Sequence, residues 1–235
     1  MTKPVLPPPC VAALLGTGCN GPSRAQQADA AATPQDAPAP ATTTADAGKP
    51  FAATVVADLE QPWAMTFLPD GRLLVSEKQG ALKVVDVSSG KTGDVGGVPE
   101  VDYGGQGGFG DVVLHPKFAD NGLVYLSYAE AGDGSTRGGA VARAKLTLDD
   151  GGGGALSGLK VIWRQVPKVD GRGHYGHRIA FDKDGMLWIS SSERQKFDPA
   201  QDMNSNLGKM VRLNDDGSVP PDNPFPVKGG GTAHV

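Results

Sequence analysis

The chain has 235 residues, 34 of them glycine and 19 proline, with an aromatic content of 6% and a formal net charge of −4. This balance excludes a nucleic-acid surface, because no Lys/Arg cluster is present to neutralise phosphates. It favours many short strands joined by turns over long helices, so the expected class is all-β.

Residues 1–19 read as a signal or lipoprotein-like segment. Lys3 is a minimal positive region, Val11 to Leu15 a short apolar run, and Gly16-Thr17-Gly18-Cys19 stands one residue away from a bacterial lipobox, with Leu15 displaced by one position. Pro4, Pro7, Pro8 and Pro9 interrupt the helix such a signal should form. The reading predicts export to the periplasm or cell envelope and makes Cys19 a candidate lipid anchor; the alternative is an uncleaved tail with two incidental cysteines, Cys10 and Cys19. Both cysteines fall here, so the rest of the chain offers no disulfide framework. No other apolar run approaches the roughly 18 residues needed to span a bilayer. Residues 20–50 are Ala, Pro, Thr, Gln and Asp with almost no large apolar side chain, so they cannot offset their ordering entropy and form a linker.

From Phe51 a repeat appears. Met65 to Glu77, Val112 to Tyr128 and Arg178 to Ser191 each read as an apolar strand, an Asp/Asn-Gly turn and a second apolar strand. A third strand follows each, starting at Ala81, Ala140 and Gly208. In the last unit Ile179 to Phe181 and Met186 to Ile189 are expected to flank a tight hairpin turn at Asp184-Gly185. One repeat is therefore a meander of three or four antiparallel strands. The turn glycines Gly71, Gly122 and Gly185 recur at intervals slightly longer than the roughly 40 to 50 residues of ordinary propeller blades, which implies loop insertions on one face. A lone meander exposes both faces of its sheet, so such units stack radially into a ring. The competing architecture is a three-hairpin β-sandwich.

Two loops ahead of first strands carry candidate chemistry. His174 and His177 stand among Gly171, Gly173 and Gly176, and a neutral imidazole there suits a general base that removes a hydroxyl proton. No Asp, Glu or Cys follows at a ligand spacing, so no zinc or other metal site is assigned. His115, before Pro116, is expected to satisfy backbone groups at a strand end. In the loop from Tyr103 to Asp111, Gln106 has two glycines on either side, so its amide would be the one functional group on a bare loop. By repeat logic Gln106 and His174 project towards the same face. The glycine pattern lacks the strand-before, helix-after context of a dinucleotide or P-loop site.

Five stretches in this order, QPWAMTFLPDGRLLVSE, GGQGGFGDVVLHPKF, NGLVYLSY, GHYGHRIAFDKDGMLWIS and NLGKMVRLNDDGSVPPDNPF, resemble the soluble PQQ-dependent glucose/sorbosone dehydrogenase family, close to the bacterial aldose sugar dehydrogenases. The resemblance covers residues 51–235. It implies a six-bladed β-propeller, with about three blades in this chain and the quinone on the ring's top face. It implies oxidation of an aldose to a lactone by hydride transfer from the anomeric carbon to PQQ, with His174 as the base and Gln106 contacting cofactor or sugar; the electron acceptor stays unnamed. Calcium is the implied second cofactor, and its ligands, like an Arg-Asn pair that grips the quinone, are expected beyond Val235. On that ground the chain is expected to be an N-terminal part, inactive or very weak alone. Where the family tends to have a Thr-Gly-Asp-Arg type run, this chain has Ser191-Ser192-Glu193-Arg194, which keeps charge and loses the glycine. The reading from a different class is a non-catalytic envelope propeller that binds carbohydrate or protein. A calcium-dependent lactonase-like propeller is disfavoured, because no inward carboxylate cluster occupies the repeat-equivalent loops.

Overall fold

The computed structural model describes residues 51–225; the signal-like segment with Cys10 and Cys19, the linker and the last ten residues lie outside the described residues. The first unit comprises β1 (Pro62–Phe67), β2 (Leu73–Glu77), β3 (Ala81–Val85) and β4 (Thr92–Gly96), paired antiparallel in chain order. The second comprises β5 (Phe109–Leu114), the one-turn helix α1 (Phe118–Asn121), β6 (Leu123–Ala131), β7 (Thr136–Leu148) and β8 (Gly154–Arg164), again a meander. The two-residue β9 (Val169–Asp170) pairs with the start of β7. The third unit comprises β10 (Gly176–Phe181), β11 (Leu187–Ser191) and β12 (Lys209–Leu213).

The units stack as three consecutive propeller blades. Successive residues on β6 point to opposite faces, and both faces are covered. Val124, Leu126 and Tyr128 pack with Leu74, Leu82 and Val84 of the first blade, while Tyr125 packs with Ile179, Leu187 and Val211 of the third. A two-sheet sandwich would leave the outer face of each sheet wet, so the sandwich alternative is overturned by the middle blade. The first strands contact each other in order, β1 with β5 and β5 with β10. The outer strands β4 and β8 join in parallel through Val95–Gly154 and Gly96–Ala155. On the other side of β1, Trp63, Met65 and Phe67 are exposed.

A serine recurs where each second strand meets a bulge in the first. The N–H of Ala64 donates to Ser76 Oγ (3.2 Å), that of Asp111 to Ser127 Oγ (2.7 Å) and that of Arg178 to Ser190 Oγ (3.0 Å). The register shifts at the same places, between Pro62 and Ala64, Phe109 and Val112, and Gly176 and Ile179. A bulge frees one backbone N–H from the ladder, and the serine hydroxyl takes it. These bulges turn the start of each first strand, which is where the preceding loop projects.

Two expected turns differ. In the third blade the chain turns over Asp182 to Met186 rather than over two residues, because the Asp182 carboxylate accepts from Asp184 N, Met186 N and Trp188 Nε1 and holds a wider loop. In the second blade Asn121-Gly122 does not form a hairpin turn. Gly122, at φ 67°, caps α1 in the left-handed conformation by donating to Phe118 O. The third blade's strands also run further than expected, so that His177 belongs to β10 and not to the loop before it.

Candidate active site

The loops ahead of β5 and β10 meet. The Gln106 side-chain Oε1 accepts from His174 N at 2.8 Å, and Gln106 N donates to Arg172 O at 2.7 Å. The imidazole and the carboxamide expected to share a face therefore lie side by side, with the His174 side chain 46% exposed. His174 sits at φ 45°, a left-handed conformation rare for a residue with a Cβ. Its Nδ1 lies 2.7 Å from Glu193 Oε1. That hydrogen bond holds the Glu193 carboxyl below its usual range. A carboxylate only accepts, so Nδ1 carries the proton of the neutral ring and Nε2 keeps its lone pair for an outside hydroxyl.

Arg194 fixes the loop that bears this histidine. Its guanidinium is buried and donates to Gly173 O (2.8 Å), Gly171 O (2.5 Å) and Arg137 O (2.7 Å), with its centre 3.7 Å from the Tyr175 ring centroid. Burial pushes its pKa down from the ordinary value. Fixed donors in that fork suit three converging carbonyls. The main chain adds Arg194 N to His174 O and Ser192 N to Tyr175 O, both at 3.1 Å. Arg194 (φ 59°) and Gln195 (φ 58°) share the left-handed conformation of His174. Such backbone persists only where its surroundings over-determine it, and here a buried cation and two backbone bonds do so.

The Gln106 loop is not bare. A Cβ on Gly104 or Gly105 would overlap Arg172, one on Gly107 would overlap the Tyr175 ring, and one on Gly108 would overlap Lys78. Packing therefore requires Gly105, Gly107 and Gly108, while Gly104, which would meet only the movable end of Arg172, is required by its φ of 146°. Lys78 Nζ donates to Gly105 O (2.6 Å) and Arg172 Nη1 to Tyr103 O (2.7 Å). Beneath the loop Asp102 bridges Arg137 at 2.5 Å and Arg172 at 2.9 Å. Burial would raise the Asp102 pKa, but the two guanidiniums outweigh it and lower it.

The other histidines have different work. His177 is 5% exposed, and its Nδ1 meets Ser127 Oγ at 2.8 Å across the gap between the second and third blades. Burial pushes its pKa down to about 4, so it is neutral at physiological pH. His115 Nδ1 accepts from Lys117 N at 3.0 Å, the backbone role expected of it. Among the described residues no group of three or more His, Cys, Asp or Glu could hold a metal ion.

Sequence reasoning selected His174 and Gln106 and missed the partners that orient them: Glu193, Arg194, Arg172 and Lys78. The available signal was the Glu193-Arg194 pair after β11, in the run where the family motif carries an acid and a base.

Comparison with known proteins agrees with this frame. The sequence profile described as Glucose / Sorbosone dehydrogenase matches residues 59–235. The chain is 38% identical over 170 residues to the aldose sugar dehydrogenase YliI of Escherichia coli, covering 72% of this chain and 45% of that protein. The apo-form structure of the soluble aldose sugar dehydrogenase of Escherichia coli superposes with a TM-score of 0.70 at 38% identity, over 75% of this chain and 50% of that one. The PQQ-bound aldose sugar dehydrogenase of Streptomyces coelicolor gives a TM-score of 0.64 at 32% identity, over 73% and 50%. The chain thus spans about half the length of the relatives it matches, as three blades of a six-bladed ring should. The profile match spans both loops that bring His174 and Gln106 together, and the chain belongs to the glucose/sorbosone dehydrogenase family.

Proposed function

We propose that this protein oxidises aldoses to lactones with PQQ as the cofactor, His174 serving as the base and Gln106 as a cofactor or sugar contact. The observation that carries the reading is the exposed His174 imidazole, backed by Glu193 at 2.7 Å and tied to Gln106 through its own N–H. His174 Nε2 is free to take the proton from the sugar's anomeric hydroxyl. Glu193 keeps the ring in that tautomer and stabilises the imidazolium that forms. Arg194 and Gln106 hold the backbone of His174 still, so the base needs no reorganisation when the hydroxyl arrives.

The donor set suits the cofactor. Gln106 Nε2 has no acceptor among the described residues, and the cations Lys78 and Arg172 border its loop, which favours an anionic group bearing carbonyl oxygens. When bound, PQQ supplies the acceptor for the hydride that leaves the anomeric carbon. Calcium is part of the proposal, with its ligands outside the described residues. So is export, with Cys19 as a lipid anchor. No helix among the described residues is long and apolar enough to cross a membrane.

The test is dye reduction with aldoses after adding PQQ and calcium, on this chain and on the chain extended along its reading frame. The extended protein should turn over, this chain alone little or not at all, and His174→Gln in the extended protein should lose about 10²- to 10⁴-fold in kcat, the usual worth of a general base. Absence of turnover in the extended protein with His174 intact would refute the dehydrogenase reading and favour a carbohydrate- or protein-binding module.

A further inference from the structure

Gln195 belongs to the segment that orients His174, yet nothing in that segment uses its side chain. Its backbone N–H and that of Lys196, the latter at 3.2 Å, hold the Glu193 carboxylate. Its carboxamide is exposed and makes no hydrogen bond to any described residue. The backbone at Gln195 is left-handed, with φ 58°. Glycine takes that conformation without cost, whereas a residue with a Cβ is strained there. What the glutamine adds is therefore the amide itself.

That amide is placed beside the proposed base. Gly173, the residue before His174, has no positive φ, so only space accounts for its missing side chain. A Cβ there would overlap Gln195 Oε1 and lie 2.7 Å from Gln195 Cδ. With a Cα–Cβ bond of about 1.5 Å and about 3.8 Å between successive Cα atoms, the carboxamide carbon stands within about 8 Å of the His174 Cα. One pyranose with its hydroxyls bridges that distance. An amide both donates and accepts, as a sugar hydroxyl does, so the two are complementary whichever way the hydroxyl turns. The Gln106 loop, bordered by the cations Lys78 and Arg172, suits the anionic cofactor. The charge held by the Gln195 segment is the Glu193 carboxylate, which repels an anion and tolerates a neutral sugar.

We propose that the Gln195 carboxamide hydrogen-bonds a hydroxyl of the aldose other than the anomeric one, and so helps decide which sugars are oxidised. This role rests on the dehydrogenase reading above and separates two tasks: His174 takes the anomeric proton, and Gln195 reads a second hydroxyl. An exposed amide is hydrated before the sugar arrives, so the new bond contributes a modest preference and not an absolute requirement.

The test is Gln195→Gly in the extended protein loaded with PQQ and calcium, since glycine fits the left-handed backbone and removes only the amide. Steady-state kinetics are compared for glucose and its 2-, 3-, 4- and 6-deoxy forms, with the thermal midpoint as a check on folding. KM for glucose should rise about 3- to 10-fold, the worth of one neutral hydrogen bond, with kcat within about twofold. The same rise is expected for every deoxy sugar except the one that lacks the hydroxyl read by Gln195, whose KM should stay within about twofold. An unchanged KM for glucose, or an equal rise for all five sugars, would overturn the proposal while leaving the dehydrogenase reading in place. A fall in kcat at constant KM would overturn it too, and would make Gln195 a positioning residue for Glu193. No turnover by the wild-type extended protein would refute the dehydrogenase reading and this role with it.

Discussion

As the proposed base, His174 works only in company. Its useful lone pair depends on which ring nitrogen holds the proton, and that is decided by Glu193, whose carboxylate cannot donate. In Glu193→Gln the new amide can donate to Nδ1, which would move the ring proton to Nε2 and occupy the position that must accept. The expected result in PQQ-loaded, extended protein is a fall in kcat of about 10- to 100-fold with KM within twofold, since orienting partners carry that weight. A change in KM alone, with kcat intact, would remove Glu193 from the positioning role. His174 and Gln106 could be read from the sequence because both stand among glycines just ahead of a strand. Glu193 could not, since it is separated from His174 by 19 positions that no periodicity links.

At the scale of elements, the repeat of strand, turn and strand was legible, and its turns were read less well than its strands. Asp/Asn followed by Gly marks a left-handed residue, which is what Gly71, Gly122 and Gly185 adopt at φ 89°, 67° and 82°. It does not say whether that residue closes a hairpin or caps a helical turn, and α1 is the second case. Nor did the glycine-rich loop disclose that its glycines are pressed against Arg172, Tyr175 and Lys78. Gly110 shows the same constraint inside a strand, at a negative φ where only space matters. A Cβ there would run into the His177 ring and Ser127 Oγ. Gly110→Ala should therefore destabilise by about 1 to 3 kcal/mol, the range for overpacking a tight site. Urea unfolding measures it, and an unchanged midpoint would mean that the second and third blades are not in contact at His177.

For the whole molecule, the gap between the second and third blades holds a histidine that folding keeps neutral. The folded pKa of His177 is about 4, against an unfolded value near 6.5, because burial opposes its charge, with Arg194 and Arg178 adding repulsion. As pH falls below 6.5 the unfolded chain takes up a proton that the folded chain refuses. Stability present above pH 6.5 is then lost progressively down to pH 4, by about 3 kcal/mol for a shift of this size. Asp111 acts in the opposite sense, since burial raises its carboxyl pKa. Comparing urea midpoints of wild type and His177→Gln between pH 7 and pH 4 isolates the histidine. The wild-type curve should fall more steeply, and parallel curves would exclude His177 as the source.

The amino-acid sequence by itself determined the all-β class, the threefold repeat and the two loops worth inspecting, because strand alternation, turn glycines and polar residues among glycines are local properties of a chain. Only the tertiary structure decided that Gln106 meets His174, that Glu193 and Arg194 orient it, and that His177 is a buried inter-blade contact. Each of those depends on segments brought together by stacking blades, and burial, which sets the pKa of His177, exists only once the sheets have closed on each other.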